Sequence, residues 1–467
     1  MRQGKVVYYT IYNFYSPCMT IDQNIFKAYD IRGLYPEEFN EETAYRIGKA
    51  VVVEFGAKTL AVGRDARSHS PALYESFSRG AMEAGANVIN LGLLTTPMVY
   101  FASWNIPEAD VVISLTASHN PPQYNGMKIS LKNAVPVGES TGLTAIRDRV
   151  LENRFTPATV PGIETEYDIK PAYYQHFSQF AHLGTKKFKV VIDTANAMGI
   201  LELPIFQALV QSGNLEITYL YDDLTHPFSA HEANPLNTET LDELRAKVIE
   251  LNADLGIAFD GDADRVGFVD ETGAIIPMDL VTGLIGSIIL EQYPKSTVLY
   301  DLRSSLAVKE IIESSGGIAL ECKVGHANIK RQMKDVGAIF AGELSGHYYF
   351  AQNSGAEAGS LPALYLLNLM AETAQPISQA VQKLRTYFHS GEINSEVVNK
   401  DAVLATLKEK YADGIQHELD GLKVSYSDWW FNVRASNTEP LLRLNLEAKT
   451  ATLLEEKKAE LLALIRG

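Results

Sequence analysis

Short runs of hydrophobic residues alternate along most of the chain with polar turns and amphipathic stretches. In the first third, these runs cover residues 59–62, 87–91 and 111–114. A short β-prone run bounded by turn residues is typical of a strand, and strands that alternate with amphipathic helices are typical of α/β units. This part of the chain is therefore predicted to form an α/β domain around a mixed or parallel sheet.

The same pattern repeats twice further along the chain. Apolar runs at 189–192 and 255–258 form a second block, and runs at 297–300, 318–322 and 338–340 form a third. A polar, mostly glycine-containing signature follows each run at once: DTANAMG, DGDADR, DLRSS, KVGHAN and AGELSG. Open α/β sheets bind ligands beyond the carboxyl ends of their strands, so these signatures are predicted to line a central cleft.

The last block has a different pattern of apolar and polar residues. It contains the alternating stretches GLKVSYSDWWFNVRAS and PLLRLNLEAKT and predicted helices at 401–412 and 450–465, which together indicate a smaller α+β domain. A chain of 467 residues is too long for a single core. We therefore predict an N-terminal extension at 1–20, three similar mixed-sheet α/β domains at 21–165, 166–275 and 276–386, and the α+β domain at 387–467.

Composition and charge exclude several classes of protein. The longest apolar-rich stretches, 280–290 and 361–370, are shorter than the roughly 20 residues of a bilayer span, so they predict buried helices and no membrane association. The net charge of −16 argues against nucleic acid as a partner, because a face that binds the phosphate backbone must be basic. An anionic substrate would need local positive contacts.

The two cysteines, Cys18 and Cys322, lie far apart and in no metal-ligand spacing. This favours a reducing compartment, the cytoplasm, over a disulfide-bonded secreted protein. Residues 1–20 lack the leucine-rich run and the cleavage site of a secretory signal. We interpret them as an extension without a catalytic role, or as a start codon placed upstream of Met19.

One serine stands in a position suited to chemistry. In LTASHNPP, Ser118 follows the apolar run 111–114 in a loop that Pro121 keeps from being helical. A serine becomes nucleophilic only when a base or a metal activates it, and His119 and Lys128 are nearby groups that could handle its proton. An isolated serine in such a segment is more often an ordinary turn that caps the next element, and only the surrounding groups favour a chemical role.

The segment FDGDADR places Asp260, Asp262 and Asp264 at alternate positions after a predicted strand. That spacing can converge three carboxylates on one hard cation, and the favoured interpretation is a magnesium site with Arg265 beside it for phosphate. A solvated acidic turn and a calcium-binding EF-hand loop are alternatives. Arg265 in place of the EF-hand glycine, and VGFVD in place of a helix, oppose the EF-hand.

Three further clusters carry groups that bind polar ligands. RASNTEP offers a guanidinium, hydroxyls and an amide suited to phosphate, through Arg434, Ser436, Asn437 and Thr438. GELSGH offers groups that can hydrogen-bond sugar hydroxyls, namely Glu343, Ser345 and His347. KAYDIRG and GRDAR place Arg32, Arg64 and Arg67 where they could attract an anion, although surface ion pairs are the usual fate of such arginines.

In combination these segments are more specific than separate turns. KAYDIRG, TASHNPP, DGDADR, GELSGH and RASNTEP, in this order, resemble the signature loops of the α-D-phosphohexomutase family over residues 25–445. GELSGH together with RASNTEP is most similar to the phosphomannomutase/phosphoglucomutase branch. The phosphoglucosamine branch tends to have glutamine third in the segment that matches GELSGH (342–347, called the sugar loop below) and glycine where Asn437 stands.

The resemblance implies a role for each residue that matches a family position. Ser118 matches the phosphoserine, which with Asp260, Asp262 and Asp264 surrounds Mg²⁺. Glu343 and Ser345 match the residues that hold the sugar 3- and 4-hydroxyls, and Arg434, Ser436, Asn437 and Thr438 match the clamp on the non-reacting phosphate. The positions that line the family's cleft are Tyr29, Arg32, His119, Lys128, Arg265, Arg303, His326 and His347. Lys128 is our first choice for the general acid/base, followed by His119.

Two positions depart from the family pattern. Ala263 replaces a frequent glycine in the acidic loop, a change that costs little if its φ is negative. The stretch AQNSGAEAGSLPAL lacks the paired aspartates of many relatives, and its acidic residue is Glu357.

The function implied is a phosphohexomutase that interconverts hexose 1-phosphate and hexose 6-phosphate, of mannose, glucose or both, through a hexose 1,6-bisphosphate. A trace of bisphosphate would activate the enzyme, the fourth domain would hinge, and we expect a monomer or weak homodimer. The alternatives are a phosphoglucosamine mutase, a metal-dependent sugar-phosphate phosphatase and a non-catalytic sugar-phosphate-binding protein.

Overall fold

The structure, a computed structural model, describes residues 21–435 and 441–467. The predicted extension at 1–20 lies outside the described residues. Within them the chain forms four sheets, one for each of the four domains. The prediction of three α/β domains followed by a smaller α+β domain is confirmed, while the exact residues at which one domain gives way to the next stay a prediction.

The first domain is a mixed sheet with the strand order β1-β5-β4-β2-β3-β7, and β6 pairs with β5. Its strands are β1 (Ile31–Leu34), β2 (Thr59–Arg64), β3 (Asn87–Leu93), β4 (Val111–Leu115), β5 (Tyr124–Leu131), β6 (Val135–Pro136) and β7 (Glu164–Glu166). Its helices are α1 (Glu41–Phe55), α2 (Ser70–Glu83), α3 (Thr96–Asn105) and α4 (Leu143–Glu152). The parallel neighbours β4 and β2 bring the loops after Leu115 and Arg64 to one edge of the sheet.

The second domain is a sheet with the order β12-β11-β10-β8-β9, in which β10, β8 and β9 are parallel. Its strands are β8 (Phe188–Asp193), β9 (Leu215–Leu220), β10 (Leu255–Phe259), β11 (Val266–Asp270) and β12 (Ile275–Ile276). Its helices are α5 (Lys170–Ser178), α6 (Leu203–Gln211) and α7 (Asp242–Leu251). The acidic signature therefore forms the tight connection between the antiparallel strands β10 and β11.

The third domain has the order β14-β13-β15-β16-β17. Its strands are β13 (Thr297–Asp301), β14 (Ile318–Cys322), β15 (Phe340–Gly342), β16 (Tyr348–Phe350) and β17 (Ala356–Glu357). Its helices are α8 (Met278–Gln292), α9 (Leu306–Ser314), α10 (His326–Val336), α11 (Leu361–Thr373) and α12 (Ile377–Leu384). The apolar stretches of α8 and α11 are buried, as predicted, and among the described helices none combines the length and hydropathy needed to cross a membrane.

The fourth domain is an antiparallel sheet with the order β18-β23-β22-β21-β20, and β19 also pairs with β23. Its strands are β18 (Phe388–His389), β19 (Ile393–Glu396), β20 (Ile415–His417), β21 (Leu422–Ser425), β22 (Trp429–Ala435) and β23 (Leu441–Ala448). Its helices are α13 (Lys400–Lys410) and α14 (Ala451–Arg466).

One predicted strand is displaced. The apolar run at 338–340 predicts a strand there, but β15 begins at Phe340, because Gly337 ends α10 in the left-handed conformation and the pairing with Val298 starts at Phe340. The other predicted strands of the three α/β domains begin within one residue of the observed ones and end within two.

Helix α3 connects the first domain to the rest of the molecule. Its residues Thr96 to Ser103 are all buried. Phe101 and Met98 belong to the same apolar core as residues of the second and third domains, such as Phe259 and Leu364. A helix that is apolar on every side is stable only when other elements surround it. Burial of α3 therefore fixes the position of its first turn against the second domain.

Helices α1 and α2 approach each other closely through two glycines. A β-carbon at Gly48 would lie 2.2 Å from the Phe77 carbonyl oxygen, and one at Gly80 would lie 2.1 Å from that of Tyr45. Both contacts are with backbone atoms, so a side chain at either position forces the helices apart.

We predict that Gly48→Ala lowers the stability of the protein by about 1–3 kcal/mol, the usual range for overpacking. The matched control is Gly286→Ala in α8, where the nearest neighbour of a β-carbon would be 3.4 Å away and alanine would favour the helix. Urea unfolding of the two variants measures the difference. Equal urea midpoints for Gly48→Ala and Gly286→Ala would show that the close approach of α1 and α2 does not depend on the glycine.

Candidate active site

The Ser118 loop follows β4 and turns sharply at the serine. Ser118 has a positive φ of 53°, and its amide donates to the Thr116 hydroxyl at 3.0 Å. Its side chain is completely buried, with Oγ 3.1 Å from Asp260 Oδ2 and 3.4 Å from His119 Nδ1. The first domain thus presents Ser118 directly to the acidic loop of the second.

Arg67 holds this loop in place. Its guanidinium donates to the carbonyl oxygens of Ser118 at 2.9 Å and Asn120 at 2.7 Å, and to Asp65 at 2.9 Å. The ring of Phe228, from the second domain, covers the guanidinium at 4.4 Å. The expectation that Arg67 attracts an anionic ligand is therefore wrong, because these contacts bury and occupy its donors.

The acidic loop packs against the start of α3. The Thr96 amide donates to the Asp262 carbonyl at 3.0 Å, and the Thr96 hydroxyl donates to Asp262 Oδ2 at 2.6 Å. Strand β11 follows the loop at once. Glu271 stands at the twelfth position, where an EF-hand loop has its last ligand, but it accepts from Ser378 instead of turning back to the loop. These features exclude the EF-hand.

Ala263 differs from the sequence prediction. Its φ is 61°, so the alanine adopts the left-handed conformation that glycine would adopt without strain. This conformation costs a non-glycine residue about 1–2 kcal/mol. The surrounding contacts of the loop maintain it, since Ala263 is fully buried and its amide donates to the Asp260 carbonyl at 3.1 Å.

The three carboxylates form a chemically suitable cation site. Asp260, Asp262 and Asp264 are almost entirely buried, and each offers an oxygen within 4.8 Å of the others. One oxygen each of Asp262 and Asp264 is buried without a hydrogen-bond partner among the described residues. Hard divalent cations prefer such oxygen ligands. The residues therefore fit a metal ion.

The carboxylates also attract basic side chains. Lys128 Nζ lies 2.7 Å from Asp262 Oδ2 and 2.5 Å from Asp264 Oδ2. Burial and the neighbouring carboxylates raise the pKa of Asp260 to about 8. Burial alone would lower the pKa of Lys128, but Asp262 and Asp264 outweigh it and raise the pKa. In contrast, the charge of Arg265 and burial lower the pKa of His119, which keeps its ring neutral.

The sugar loop lies beside the acidic loop and shares a histidine with it. His347 Nδ1 lies 3.0 Å from Glu343 Oε2 and 2.8 Å from the Ser345 hydroxyl. Its Nε2 lies 3.4 Å from Asp264 Oδ1 and 3.2 Å from Arg265 Nε. Burial opposes the charge on this ring, but Asp264 outweighs burial and raises the pKa of His347 to about 9. Arg265 can donate to Nε2 only when Nε2 carries no proton, whereas Asp264 can accept from Nε2 only when it does, so the two contacts exclude each other.

Glu343 is held from two further directions. Its Oε1 accepts from the Gly325 amide at 2.8 Å, and its Oε2 accepts from the Tyr349 hydroxyl at 2.7 Å. Burial alone would raise the pKa of Glu343, but its contact with His347 outweighs burial and lowers it. The carboxylate is thus an ionised acceptor, suited to hydroxyl groups.

A cluster of arginines joins the third and fourth domains. Glu392 Oε2 lies 2.9 Å from Arg434 Nη2 and 3.5 Å from Arg303 Nη1, and Arg443 approaches the same carboxylate at 3.4 Å. Arg303 is also bound by Asp301 at 2.7 Å. Glu392 could not be predicted from the sequence, because nothing near it in the chain suggests a ligand. Ser436, Asn437 and Thr438 lie outside the described residues.

Three other predicted cleft residues lie around the same space. Tyr29 and His326 are in edge-to-face contact at 5.8 Å, and Tyr29 accepts from Asn328 at 3.2 Å. Arg32 donates to Asn120 Oδ1 at 2.6 Å and pairs with Asp30 at 2.8 Å. Together with the contacts above, the structure brings every described candidate residue to the junction of the domains.

A buried ion pair beneath the sugar loop was not anticipated. Lys330 Nζ lies 2.6 Å from Glu357 Oε2, and both side chains are completely buried. The ammonium also lies 3.5 Å from the centre of the Tyr100 ring in α3. In the sequence Glu357 stands out only as the acidic residue of an unusual stretch, and its partner is an ordinary-looking lysine of α10.

We predict that Lys330→Met destabilises the protein by about 3 kcal/mol, because it leaves Glu357 buried without its cation. The double variant Lys330→Met/Glu357→Gln should lose less stability, because it leaves no unpaired buried charge. Lys449→Ala, which removes an exposed ion pair with Asp428, is the control and should cost less than about 1 kcal/mol. Equal urea midpoints for Lys330→Met and the control would contradict the prediction.

Comparison with known proteins agrees with this architecture. The family models for phosphoglucomutase/phosphomannomutase α/β/α domains I, II and III match residues 23–157, 171–273 and 278–387, and the model for the C-terminal domain of the same family matches 392–464. The order of the four matches along the chain is the order of the four sheets.

Individual relatives match along almost the whole chain. A phosphomannomutase of Methanocaldococcus jannaschii is 37% identical over 447 residues, which cover 95% of this chain and 98% of that protein. A phosphomannomutase/phosphoglucomutase of Pseudomonas aeruginosa is 35% identical over 448 residues, covering 94% and 95%. A solved phosphoglucomutase/phosphomannomutase family protein of Burkholderia thailandensis superimposes with a TM-score of 0.86 at 30% identity, covering 95% and 97%. The family resemblance seen in the signature loops is thereby confirmed, and the chain belongs to the phosphoglucomutase/phosphomannomutase family.

Proposed function

We propose that this protein is a phosphohexomutase that interconverts hexose 1-phosphate and hexose 6-phosphate through a phosphorylated Ser118. The observation that carries the proposal is the contact of Ser118 Oγ with Asp260 Oδ2 at 3.1 Å, inside a cluster of three buried carboxylates. The hydroxyl and the three carboxylates together offer the oxygen ligands that a hard divalent cation prefers, and a phosphoryl group on Ser118 would add another. The names of the full-length relatives support the same reaction.

The proposed cofactor is Mg²⁺, held by Asp260, Asp262, Asp264 and the Ser118 side chain. When bound, it neutralises charge on a transferring phosphoryl group, which is its usual contribution to such reactions. Phosphoryl transfer depends mainly on positioning and charge neutralisation. Arg265 supplies a further positive charge, 3.8 Å from Asp260, at the side of the cluster that faces the sugar loop.

Two residues are candidates for the proton transfer. Lys128 is the first choice by resemblance to the family, and its ammonium already spans Asp262 and Asp264. His119 is the alternative, since its neutral ring lies 3.4 Å from Ser118 Oγ and can accept the hydroxyl proton at Nδ1. Arg32 is bound to the Ser118 loop at Asn120 and adds positive charge to that loop.

The sugar and its second phosphate are proposed to bind across the junction of the domains. The Glu343 carboxylate would accept hydrogen bonds from sugar hydroxyls, and the Ser345 hydroxyl could donate or accept them. His347 contacts both residues and orients them. The remaining groups proposed to contact the substrate are Tyr29, Arg303, His326, Arg434, Ser436, Asn437 and Thr438. Because Arg303 belongs to the third domain and Arg434 to the fourth, a phosphate bound by both would draw these domains together.

The two transfers require the intermediate to reverse its orientation. After the first transfer, a hexose 1,6-bisphosphate must turn so that its other phosphate meets Ser118. The contacts of the fourth domain with the third must open for this, so we propose a hinge near residue 387. Unphosphorylated enzyme would need a trace of the bisphosphate as its activator.

The substrates proposed are mannose and glucose phosphates. Glu343 and Ser345 are assigned to hydroxyls away from carbon 2, where these two sugars differ, and the Pseudomonas aeruginosa relative carries both names. With only two cysteines, far apart, the chain fits the cytoplasm, and we propose that it acts there as a monomer or weak homodimer.

A coupled assay with Mg²⁺ and a trace of bisphosphate tests the proposal, with mannose, glucose and glucosamine 1-phosphates offered in parallel. The expected result is formation of mannose and glucose 6-phosphates without release of inorganic phosphate. Ser118→Ala should abolish turnover, by at least about 10³-fold, because the acceptor oxygen is lost. Thr116→Ser is the control in the same loop and should keep most of the activity, since it retains the hydroxyl that binds the Ser118 amide.

Other outcomes point to specific alternatives. Turnover of glucosamine 1-phosphate alone would indicate the neighbouring phosphoglucosamine branch. Release of inorganic phosphate alone would indicate a phosphatase and would contradict the mutase.

A further inference from the structure

A carboxylate outside the proposed catalytic machinery lies where three domains meet. Glu202 precedes α6 in the second domain, and its side chain is completely buried. Among the described residues no Lys, Arg or His forms an ion pair with it. Burial raises the pKa of Glu202 to about 6, so the group is mostly ionised at neutral pH although its site has no cation.

Hydroxyl groups from all three α/β domains surround this carboxylate. Thr95 of the first domain donates at 2.9 Å to Oε1, and Tyr173 of the second donates to both oxygens at 3.1 Å. The Ser360 hydroxyl of the third domain donates to Oε2. Hydrogen bonds to an ionised acceptor are roughly twice as strong as neutral ones, so Glu202 holds these groups firmly.

The residues next to two of these donors, Thr96 and Gly359, contact the acidic loop. Thr96 follows Thr95 and binds Asp262 through both its amide and its hydroxyl, at 3.0 Å and 2.6 Å. Gly359 precedes Ser360. A β-carbon at Gly359 would lie 2.6 Å from the Ala263 carbonyl oxygen and 3.1 Å from the Glu202 carboxyl carbon. The acidic loop and Glu202 are therefore separated by a single glycine.

A neutral side chain could also form hydrogen bonds with these hydroxyls, and its burial would cost less free energy. An ionised carboxylate without a cationic partner is expensive to bury. A carboxylate at this position is accounted for physically by its charge, which strengthens the hydrogen bonds beside the acidic loop and attracts a cation. The strained φ of Ala263 is part of what must be held in place.

We propose that Glu202 is a positioning residue for the acidic loop, holding Asp260, Asp262 and Asp264 in the arrangement that binds the cation. Glu202 acts through Thr95 and Thr96 on one side and through Ser360 and Gly359 on the other. The inference rests on the proposed function, because it assumes that these carboxylates bind a divalent cation. It extends that function to a residue that contacts neither the substrate nor the cation.

The test uses Mn²⁺ as a paramagnetic probe of the full-length protein, with free Mn²⁺ measured by electron paramagnetic resonance. Glu202→Gln is expected to weaken Mn²⁺ binding about tenfold, the usual size of an effect from outside the ligand shell. The control is Glu447→Gln. Glu447 is also a buried carboxylate with neutral donors, from Trp430 at 3.0 Å and the Leu306 amide at 2.9 Å, but it has no contact with the loop.

A second variant guards against misfolding. Ser360→Ala keeps the carboxylate and removes one donor, and it should weaken Mn²⁺ binding by about threefold. Thermal unfolding of each variant with chelator present reports the stability of the metal-free protein separately. Weaker binding by Glu202→Gln and Ser360→Ala, with binding by Glu447→Gln within twofold of the unaltered protein, would support the proposal.

The contrary outcomes are distinct. Unaltered Mn²⁺ binding in both Glu202→Gln and Ser360→Ala would overturn the proposal and leave the metal site standing. An equal loss in Glu447→Gln would also overturn it, since the effect would then follow from general destabilisation. Absence of Mn²⁺ binding in the unaltered protein would overturn the proposed metal site and this inference together.

Discussion

The concentration of negative charge at the acidic loop is the constraint around which the site is arranged. Asp260, Asp262 and Asp264 are buried within 4.8 Å of one another. Two unit charges 4 Å apart repel by about 4 kcal/mol at an effective dielectric constant of 20, so the cluster is unfavourable without positive partners. Lys128 supplies one such partner, and His347 supplies another. A divalent cation would neutralise the cluster more completely.

This constraint explains why the site is divided among domains. The second domain carries the carboxylates, while the first contributes Ser118 and Lys128 and the third contributes His347. Each group comes from a loop or strand end that its own sheet positions. The charges therefore connect the domains as well as serving the chemistry, and the fourth domain is joined through Glu392 and its arginines in the same way.

Much of the fold and of the candidate site could be predicted from the sequence. The strands of the α/β domains are short apolar runs, and the polar signature after each run marks the edge where the loops meet. The acidic loop and the Ser118 segment are readable because their residues are close together in the chain.

Features that depend on distant contacts could not be predicted. Arg67 resembles an anion-binding arginine in sequence, yet its donors are occupied by the carbonyls of a loop about fifty residues away. Ala263 has its left-handed conformation inside the core that the three α/β domains share, which the sequence does not reveal. Lys330 and Glu357 meet only when the third domain has folded, and Glu202 meets Thr95 and Ser360 only once the three α/β domains have assembled.

The central claim is that Ser118 carries the phosphoryl group between two positions of one sugar. The most direct test incubates the protein with a hexose 1,6-bisphosphate that is radiolabelled in its phosphoryl groups, locates the label by peptide mapping, and then adds unlabelled hexose 6-phosphate. We expect label on the peptide that contains Ser118 and its transfer from there to the added sugar phosphate. A protein without label at Ser118, or one that passes its label only to water as inorganic phosphate, would contradict the central claim.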